Sequence, residues 1–528
     1  MIMHKNQERG IALVLALILM SAMSVLAASL MFLSQTETYA SMNYRMMSQA
    51  RYAAEAGVQK ASDFLLTTSK YAPPIAPSDP LFSSCTHNVS PVLCGGNPVI
   101  LAAAKSPGST SFCGDKTPNY PTPSVQTAFF AAARGGMSAG NASVNYCAYA
   151  TLTTIQVFDS YGGSPNVVLT WEITGVGSLG GSRPATVEVV AIVEQPKVPA
   201  NNYAAFATDN TCGALTFDGG AQTDSYDSQL LNPAIVAPPT MDLEGGDVGT
   251  NGNLNISNNV DVYGNLYTPR SGVGSCSEGS VTAITESGHA TVHGGIVPLP
   301  TAVAYPTPPM PANNTLPLVD INHVAGACAL LGLIAPACVE SGDNIIITNP
   351  SPTTPLSMPG VKLSGTHVNI QLVASNLPPA QYSFNSIELT SNASIGVKAT
   401  TPQQGVLVNV IGKDAANVDV ATPIDFTGGG NTAVVGCPTC SPFDASMMQF
   451  LYAGTGELKL AGHAAAAAVF YAPNASVVYS GTSDLYGSIL AKRLHETGSG
   501  KIHYDRRLAR DFYVAGHPMV GTFSWKRY

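Results

Sequence analysis

Charge is scarce in this sequence. Only 11% of its 528 residues are Asp, Glu, Lys or Arg, against about 25% in an ordinary soluble domain. The net charge of −9 is spread thinly over that length, so there is no basic stripe able to neutralise a run of phosphates and a nucleic-acid partner is disfavoured. Cysteine is missing from the whole N-terminal part. All ten cysteines, Cys85, Cys94, Cys113, Cys147, Cys212, Cys276, Cys328, Cys338, Cys437 and Cys440, follow the apolar segment described below. An even number on one side of a membrane span points to disulfides in an oxidising compartment. Pairing each with its next neighbour is the simplest scheme, although spacing alone does not fix connectivity.

Catalytic motifs are also wanting. Gly136-Met137-Ser138-Ala139-Gly140 is a literal G-x-S-x-G, but it lacks the buried strand before it and the helix after it that a nucleophile elbow requires, and it reads as a glycine-rich loop. Gly498-Ser499-Gly500-Lys501 fails as a phosphate loop, with His495 in place of the first glycine and Ile502 in place of the hydroxyl residue. Cys437-Pro438-Thr439-Cys440 has no second pair to complete a zinc site, which favours a local disulfide. Asp218, Asp224 and Asp227 offer oxygens for calcium, although turns rich in Asp, Gly and Ser look the same. Asp484, Lys492, Arg493, His495 and Asp505 are the best constellation for a polysaccharide lyase or hydrolase, and nothing in the sequence sets the separation that a carboxylate pair needs. Eight basic residues cluster between Lys492 and Arg527, read as a solvated edge or as a contact for an anionic polysaccharide or lipid.

What the sequence does have is one long apolar run. Ile11 to Leu33 carries no charge, and at ~1.5 Å per residue it spans roughly 34 Å, enough to cross a hydrocarbon core. Lys5 and Arg9 in the preceding head hold that end in the cytoplasm and send the rest outward. The run flows into a polar helical pattern instead of a small-residue cleavage site, so the segment is retained rather than discarded. Tyr39, Met42, Met46, Ala50, Ala53, Gly57, Ala61 and Phe64 recur at helical steps until Pro73-Pro74. The centre of that face, Ala50, Ala53, Ala54 and Gly57, is small enough for close backbone approach by a sheet or by neighbouring helices.

Gln7-Glu8-Arg9-Gly10, the apolar run after it, and Ala53-Ala54-Glu55-Ala56-Gly57 together resemble the N-terminus of PilX-type minor pilins, and also of the large minor pseudopilins of type II secretion. The resemblance implies that a prepilin peptidase cuts after Gly10 and leaves Ile11 as the new terminus while the helix stays in the membrane. Major pilins carry glutamate at the fifth mature position; here that residue is Leu15, and Ile11 replaces the usual phenylalanine. Both departures favour a minor, tip-located subunit.

From 71 to 200 the sequence is first loop-like, then strand-like, in Val167 to Ile173 and Ala185 to Val193, with Gly180-Gly181-Ser182 as a hairpin turn. A small sheet on the C-terminal half of the long helix is what the resemblance implies. From about Tyr203 short apolar triplets alternate with Gly, Asn, Ser and Asp, the rhythm of a stacked β-coil. Val260-Asp261-Val262-Tyr263-Gly264-Asn265-Leu266-Tyr267 and Ser483-Asp484-Leu485-Tyr486-Gly487-Ser488-Ile489-Leu490 share one pattern. Gly and Asn belong at the corners of such a coil, where left-handed backbone angles are needed. Through Asp224-Ser225-Tyr226-Asp227-Ser228, Val248-Gly249-Thr250-Asn251-Gly252 and the stretch from Phe470 to Asp505, this part resembles the β-solenoid-like domain often fused to PilX-type N-termini, while Pro298 to Asn349 fits neither resemblance and reads as an insertion or irregular rungs.

The expected fold is therefore mainly β with a long N-terminal helix: a leader at 1–10, a membrane and pilin-like helix at 11–70, an α+β pilin-like head at 71–200, a right-handed parallel β-solenoid at 201–510 and a C-terminal tail at 511–528. The expected role is non-enzymatic, a minor pilin-like structural subunit of a type IV pilus or pseudopilus. It is held in the bacterial inner membrane with its body periplasmic or extracellular, and it meets pilin or pseudopilin subunits, prepilin peptidase, the pilus assembly platform and a surface glycan or protein ligand. No cofactor is expected beyond the calcium alternative. A membrane-anchored β-helix carbohydrate-active enzyme and a plain surface adhesin are the competing readings.

Overall fold

The computed structural model describes residues 8–67, 70–72, 74, 79–102, 116–139, 142–159, 165–180, 184–194, 197–199, 202–230, 238–351, 354–376, 379–428, 434–462, 466–482, 484–511, 513–515 and 519–527. A single helix, Glu8–Leu66, is followed by a mostly β body. The helix is long enough, at ~1.5 Å per residue, to reach roughly 88 Å. Proline is absent from it, and some of its hydroxyls bond its own backbone, Ser24 Oγ donating to the Met20 carbonyl at 2.7 Å and Ser29 Oγ to the Val25 carbonyl at 2.8 Å. It is long and apolar enough to cross a membrane, and its most apolar window is wholly uncovered by the rest of the chain.

The chain divides into two compact units. The first comprises residues 1–157, 166–196 and 515–528, the second 158–165 and 197–514. The second is thus inserted into the first.

In the first unit a sheet runs in the order Met519–Arg527, Ala185–Glu194, Pro165–Leu179, Ala142–Asp159, Ile100–Ala102. Pro165–Leu179 and Ala185–Glu194 form the expected hairpin, closing at Leu179 opposite Ala185; Gly181 and Ser182 of its turn lie outside the described residues. Its core gathers Phe64 and Tyr71 from the helical end, Phe129 and Tyr120 from the segment around the short helix Pro123–Ala132, and Trp171 from the sheet. Phe64 meets Phe129 edge-on at 5.4 Å and Tyr71 meets Trp171 at 6.2 Å, the tilted contacts aromatic rings prefer. Two expectations change here. The C-terminal segment is not simply a tail, because Met519–Arg527 pairs antiparallel with Ala185–Glu194. The G-x-S-x-G segment is not a loop either, since Arg134–Ala139 is a strand paired with Ala142–Asp159, with Gly140 outside the described residues.

The second unit is built from parallel ladders in which each strand pairs with the equivalent strand of the next turn. One ladder runs from Gly295–Pro298 through Asn265–Thr268, Val248–Thr250 and Ala205–Ala207 to Ile489, then through Ala466–Gly481, Met448–Tyr452, Val406–Val410 and Ala380–Phe384 to Leu356–Met358. A second holds Leu254–Ile256, Leu215–Gly219 and Leu494, and a third Asp261–Val262, Gln222–Tyr226 and Lys501–Asp505. Alternate residues point inward as the two-residue period of a strand demands, so Leu215 and Phe217, Leu254 and Ile256, and Ile387 and Leu389 form one continuous apolar core. At one corner Gly481, Gly498 and Gly219 stack in register with φ of +104°, +118° and +87°. A Cβ on Gly219 would lie 2.3 Å from the Gly498 carbonyl oxygen, so this column admits only glycine.

Chain order and stacking order differ. The coils run outward from Ala205 to Pro298, and a second set runs from Val319 back to Asp505, where the last coil pairs with the first: Ala205 with Ile489, Leu215 with Leu494, Gln222 with Lys501. The segment 299–318 is the strap that joins the two sets. Asn251 donates through Nδ2 to the Val303 carbonyl at 2.8 Å and accepts from the Val303 amide at 2.7 Å. Asn385 holds Asn314 the same way, at 2.7 and 2.8 Å. Between these anchors Tyr305 packs on Phe206 at 4.9 Å, and Tyr471 Oη donates to the Pro306 carbonyl at 2.6 Å. The anchors are six ladder steps apart, roughly 29 Å at ~4.8 Å per step, a distance the proline-rich stretch between them covers when extended at ~3.1 Å per residue. Pro298 to Asn349 is therefore resolved into this strap followed by a terminal coil closed by the Cys328 to Cys338 disulfide.

Candidate functional sites: the helix face and the coil seam

Gly10 and Ile11 lie in the first turns of the long helix, with Leu15 one turn further on. From Ile11 to Leu33 the large side chains are all more than half exposed, and Tyr39 and Met42 continue the open surface. Burial begins at Ala50. Ala50, Ala53 and Ala54 are at most 1% exposed, and the groups that cover them belong to this chain. A Cβ on Gly177 would fall 1.9 Å from the Ala50 carbonyl oxygen, and one on Gly175 would fall 2.3 Å from that of Ala54. Gly57 approaches the Cys147 carbonyl, where a Cβ would sit 3.2 Å away. Of the two uses read for the small face, packing by a sheet is the one found, and the face is not open to neighbouring helices. Gly175 and Gly177, two apart on one strand and so on one side of it, are the partners sequence reading missed.

Four disulfides are described: Cys85 to Cys94, Cys212 to Cys276, Cys328 to Cys338 and Cys437 to Cys440. Each joins a cysteine to the next along the chain. Cys147 is also disulfide-bonded, and Cys113 lies outside the described residues.

The second site is the seam where first and last coils meet. On its buried side His503 Nδ1 bonds Asp224 Oδ1, and His503 Nε2 lies 3.6 Å from Asp484 Oδ2. Burial pulls the imidazole pKa down, but the hydrogen bonds and charges of Asp224 and Asp484 outweigh it and the net direction is up. Glu496 is wholly buried, in register with Phe217 and Tyr479, and both of its carboxyl oxygens lack a hydrogen-bond partner. Burial, helped by the Asp484 charge, pushes its pKa well above the carboxylate range. Asp505, also wholly buried, accepts from the Ser228 and Arg507 amides at 3.1 Å each through Oδ1, while Oδ2 has no partner. Burial and the nearby Asp444 push it up to about 7.

On the outer side the basic cluster finds its acids. Arg493 Nε meets Asp209 at 2.5 Å, Arg506 meets Asp242 at 2.8 Å, Arg510 meets both oxygens of Asp227 at 2.8 Å, and Arg507 pairs with Asp444. These arginines are not a bare solvated edge: three of them tie the last coil to segments of the first. The constellation Asp484, Lys492, Arg493, His495 and Asp505 does not assemble. The register puts Asp484 beside Lys501, leaves Lys492 exposed further along the same strand, and sets exposed His495 beside Thr216 on another ladder and Asp505 beside Tyr226. Asp484 instead joins His503 and Asp224. The only sequence signal for that pairing was the shared alternation of Asp484 with Tyr486 and Lys501 with His503.

The three calcium candidates point to separate partners: Asp218 to Ser257 and Asn258, Asp224 to His503 and Gln222, Asp227 to Arg510. Among the described residues there is no group of three or more His, Cys, Asp or Glu placed to hold a metal ion.

Residues 9–59 match the PilX N-terminal family, and residues 381–511 match a domain of unknown function, DUF7305. Among solved structures, that of the competence-associated pilin ComZ from Thermus thermophilus aligns with 92% of this chain and 98% of its own, at 13% identity and a TM-score of 0.26. No curated protein matches.

Proposed function

We propose that this chain, with its PilX-type N-terminus, is a minor pilin-like structural subunit of a type IV pilus or a related pseudopilus. Its uncovered apolar helix anchors it in the inner membrane and then enters the helical core of the assembly, and its inserted body, read as a β-solenoid, is displayed outside the cytoplasm for surface contact or adhesion. The observation that carries this reading is the matched segment 9–59 on a helix whose first half touches nothing else in the chain while its second half is roofed by the sheet. An apolar surface of that size is stable only in lipid or against other apolar helices, and exchanging one for the other costs little. No step of the role requires turnover.

In this reading prepilin peptidase cleaves between Gly10 and Ile11, and other pilin subunits and the assembly platform receive the processed helix. The experiment is mass spectrometry of the N-terminus of protein recovered from membranes with and without prepilin peptidase. Ile11 exposed only in its presence supports the pilin pathway. An uncleaved head in both samples overturns it and leaves a static anchor.

A further inference from the structure

We propose that the seam joining the first and last coils of the second unit is a proton-operated latch, closed while its buried acid groups carry protons and loosened as the medium turns alkaline.

Three features of the geometry converge on it. The seam is long-range closure: Gln222–Tyr226 pairs along its whole length with Lys501–Asp505, joining the first set of coils to the last. Its rim is charged and paired, by Arg493 with Asp209, Arg506 with Asp242 and Arg510 with Asp227. Its interior holds carboxyl groups without full hydrogen bonding, Glu496 at both oxygens and Asp505 at one. An ionised carboxylate with no donor in an apolar core is strongly disfavoured, which holds Glu496 as the neutral acid; Asp505 has two amide donors on Oδ1, yet its burial and the neighbouring Asp444 still favour the protonated form.

The groups facing them reinforce this. Glu496 faces the Asp484 carboxylate and the Tyr479 hydroxyl. Asp505 faces Asp444, which itself pairs with Arg507, and the phenols of Tyr226 and Tyr504. His503 lies between Asp224 and Asp484 against the Tyr486 ring. Every one of the three binds its proton more tightly folded than unfolded, so each loses stabilisation as pH rises. For Asp505 the window runs from its ordinary 3.8 to about 7; Glu496 extends the fall above its ordinary 4.5, and His503 begins above 6.5. Loosening at the seam parts the two sets of coils without breaking a strand pair inside either.

The test is hydrogen exchange by mass spectrometry on the full chain in detergent micelles at pH 5.5 and 8.5, with labelling times scaled for intrinsic exchange. Peptides covering 222–226 and 501–505 should lose protection tenfold or more at the higher pH, while 406–410 and 448–452, inside one set of coils, should not change. Glu496→Gln with Asp505→Asn should shrink the difference to the part that His503 contributes. Equal seam protection at both pH values in the unaltered chain overturns the proposal, and that comparison stands even where the double variant does not fold. A pH response that persists undiminished in the folded double variant, or that disappears in 1 M salt and so belongs to the rim, overturns it as well.

Discussion

Gly177 and Ala50 meet backbone to backbone: a Cβ on Gly177 would lie 1.9 Å from the Ala50 carbonyl oxygen. A helix and a strand approach this closely only where neither carries a side chain of any size. Gly177→Ala should therefore destabilise the first unit by about 1–3 kcal/mol, at the upper end because the obstacle is backbone that cannot rotate away. Gly57→Ala, whose Cβ would stand 3.2 Å from the Cys147 carbonyl, should cost less. Denaturant unfolding followed by Trp171 fluorescence checks the order.

Gly57→Arg is expected to unfold the first unit itself, since Cys147 and Tyr146 already lie against Gly57. Loss of assembly in that variant would then reflect folding and not helix-to-helix contact. A charge placed on the uncovered stretch, as in Leu26→Lys, should leave the Trp171 unfolding transition in place and lower membrane retention or filament incorporation. Fractionation and unfolding measured on the same two variants distinguish the surfaces.

Among the disulfides, the bond between Cys212 and Cys276 closes a span of 64 residues and that between Cys437 and Cys440 a span of 3. Chain-entropy arguments assign about 4 kcal/mol to the former and about 2 kcal/mol to the latter. Replacing both cysteines of each pair by serine should lower the unfolding midpoint of the second unit in that order, read by calorimetry of the two double variants.

Asn251 and Asn385 are the two clasps of the strap. Either one changed to leucine leaves a half-buried strap amide and carbonyl without their partner, at a cost of about 1 kcal/mol each. Limited proteolysis should then cut between 304 and 312 in both variants, while the unaltered chain resists. Cutting elsewhere first would show that the strap is held by its aromatic contacts alone.

How much of this could be read in the sequence depends on what each feature rests on. The helix was legible because its apolar run and its three- and four-residue steps are local. The body was legible through its rhythm: Val260 to Tyr267 and Ser483 to Leu490 share one pattern, and the ladders put Asp261 and Asp484 in one column and Leu266 and Ile489 in another. The strap was not, because an extended proline-rich segment takes its path from distant partners such as Asn251 and Asn385 and carries no period of its own. The same holds for the seam. Asp224 and His503 are separated by 279 residues, and nothing local to either predicts the other. The sheet that roofs the small helix face left a trace in Gly175 and Gly177, a glycine pair at strand spacing inside an otherwise β-branched run.

The insertion of the second unit between Ala185–Glu194 and Met519–Arg527 has a consequence for biosynthesis. The last strand of the first sheet leaves the ribosome after the whole of the inserted body, so a chain interrupted anywhere within that body has a helix ready for the membrane but a sheet lacking its outer strand. Such a product exposes the edge of Ala185–Glu194 on the far side of the membrane, the kind of unpaired edge that recruits other strands and attracts proteases. Only a chain translated through Met519–Arg527 can present a finished sheet, and the topology thereby distinguishes chains that carry this strand from chains that stop before it.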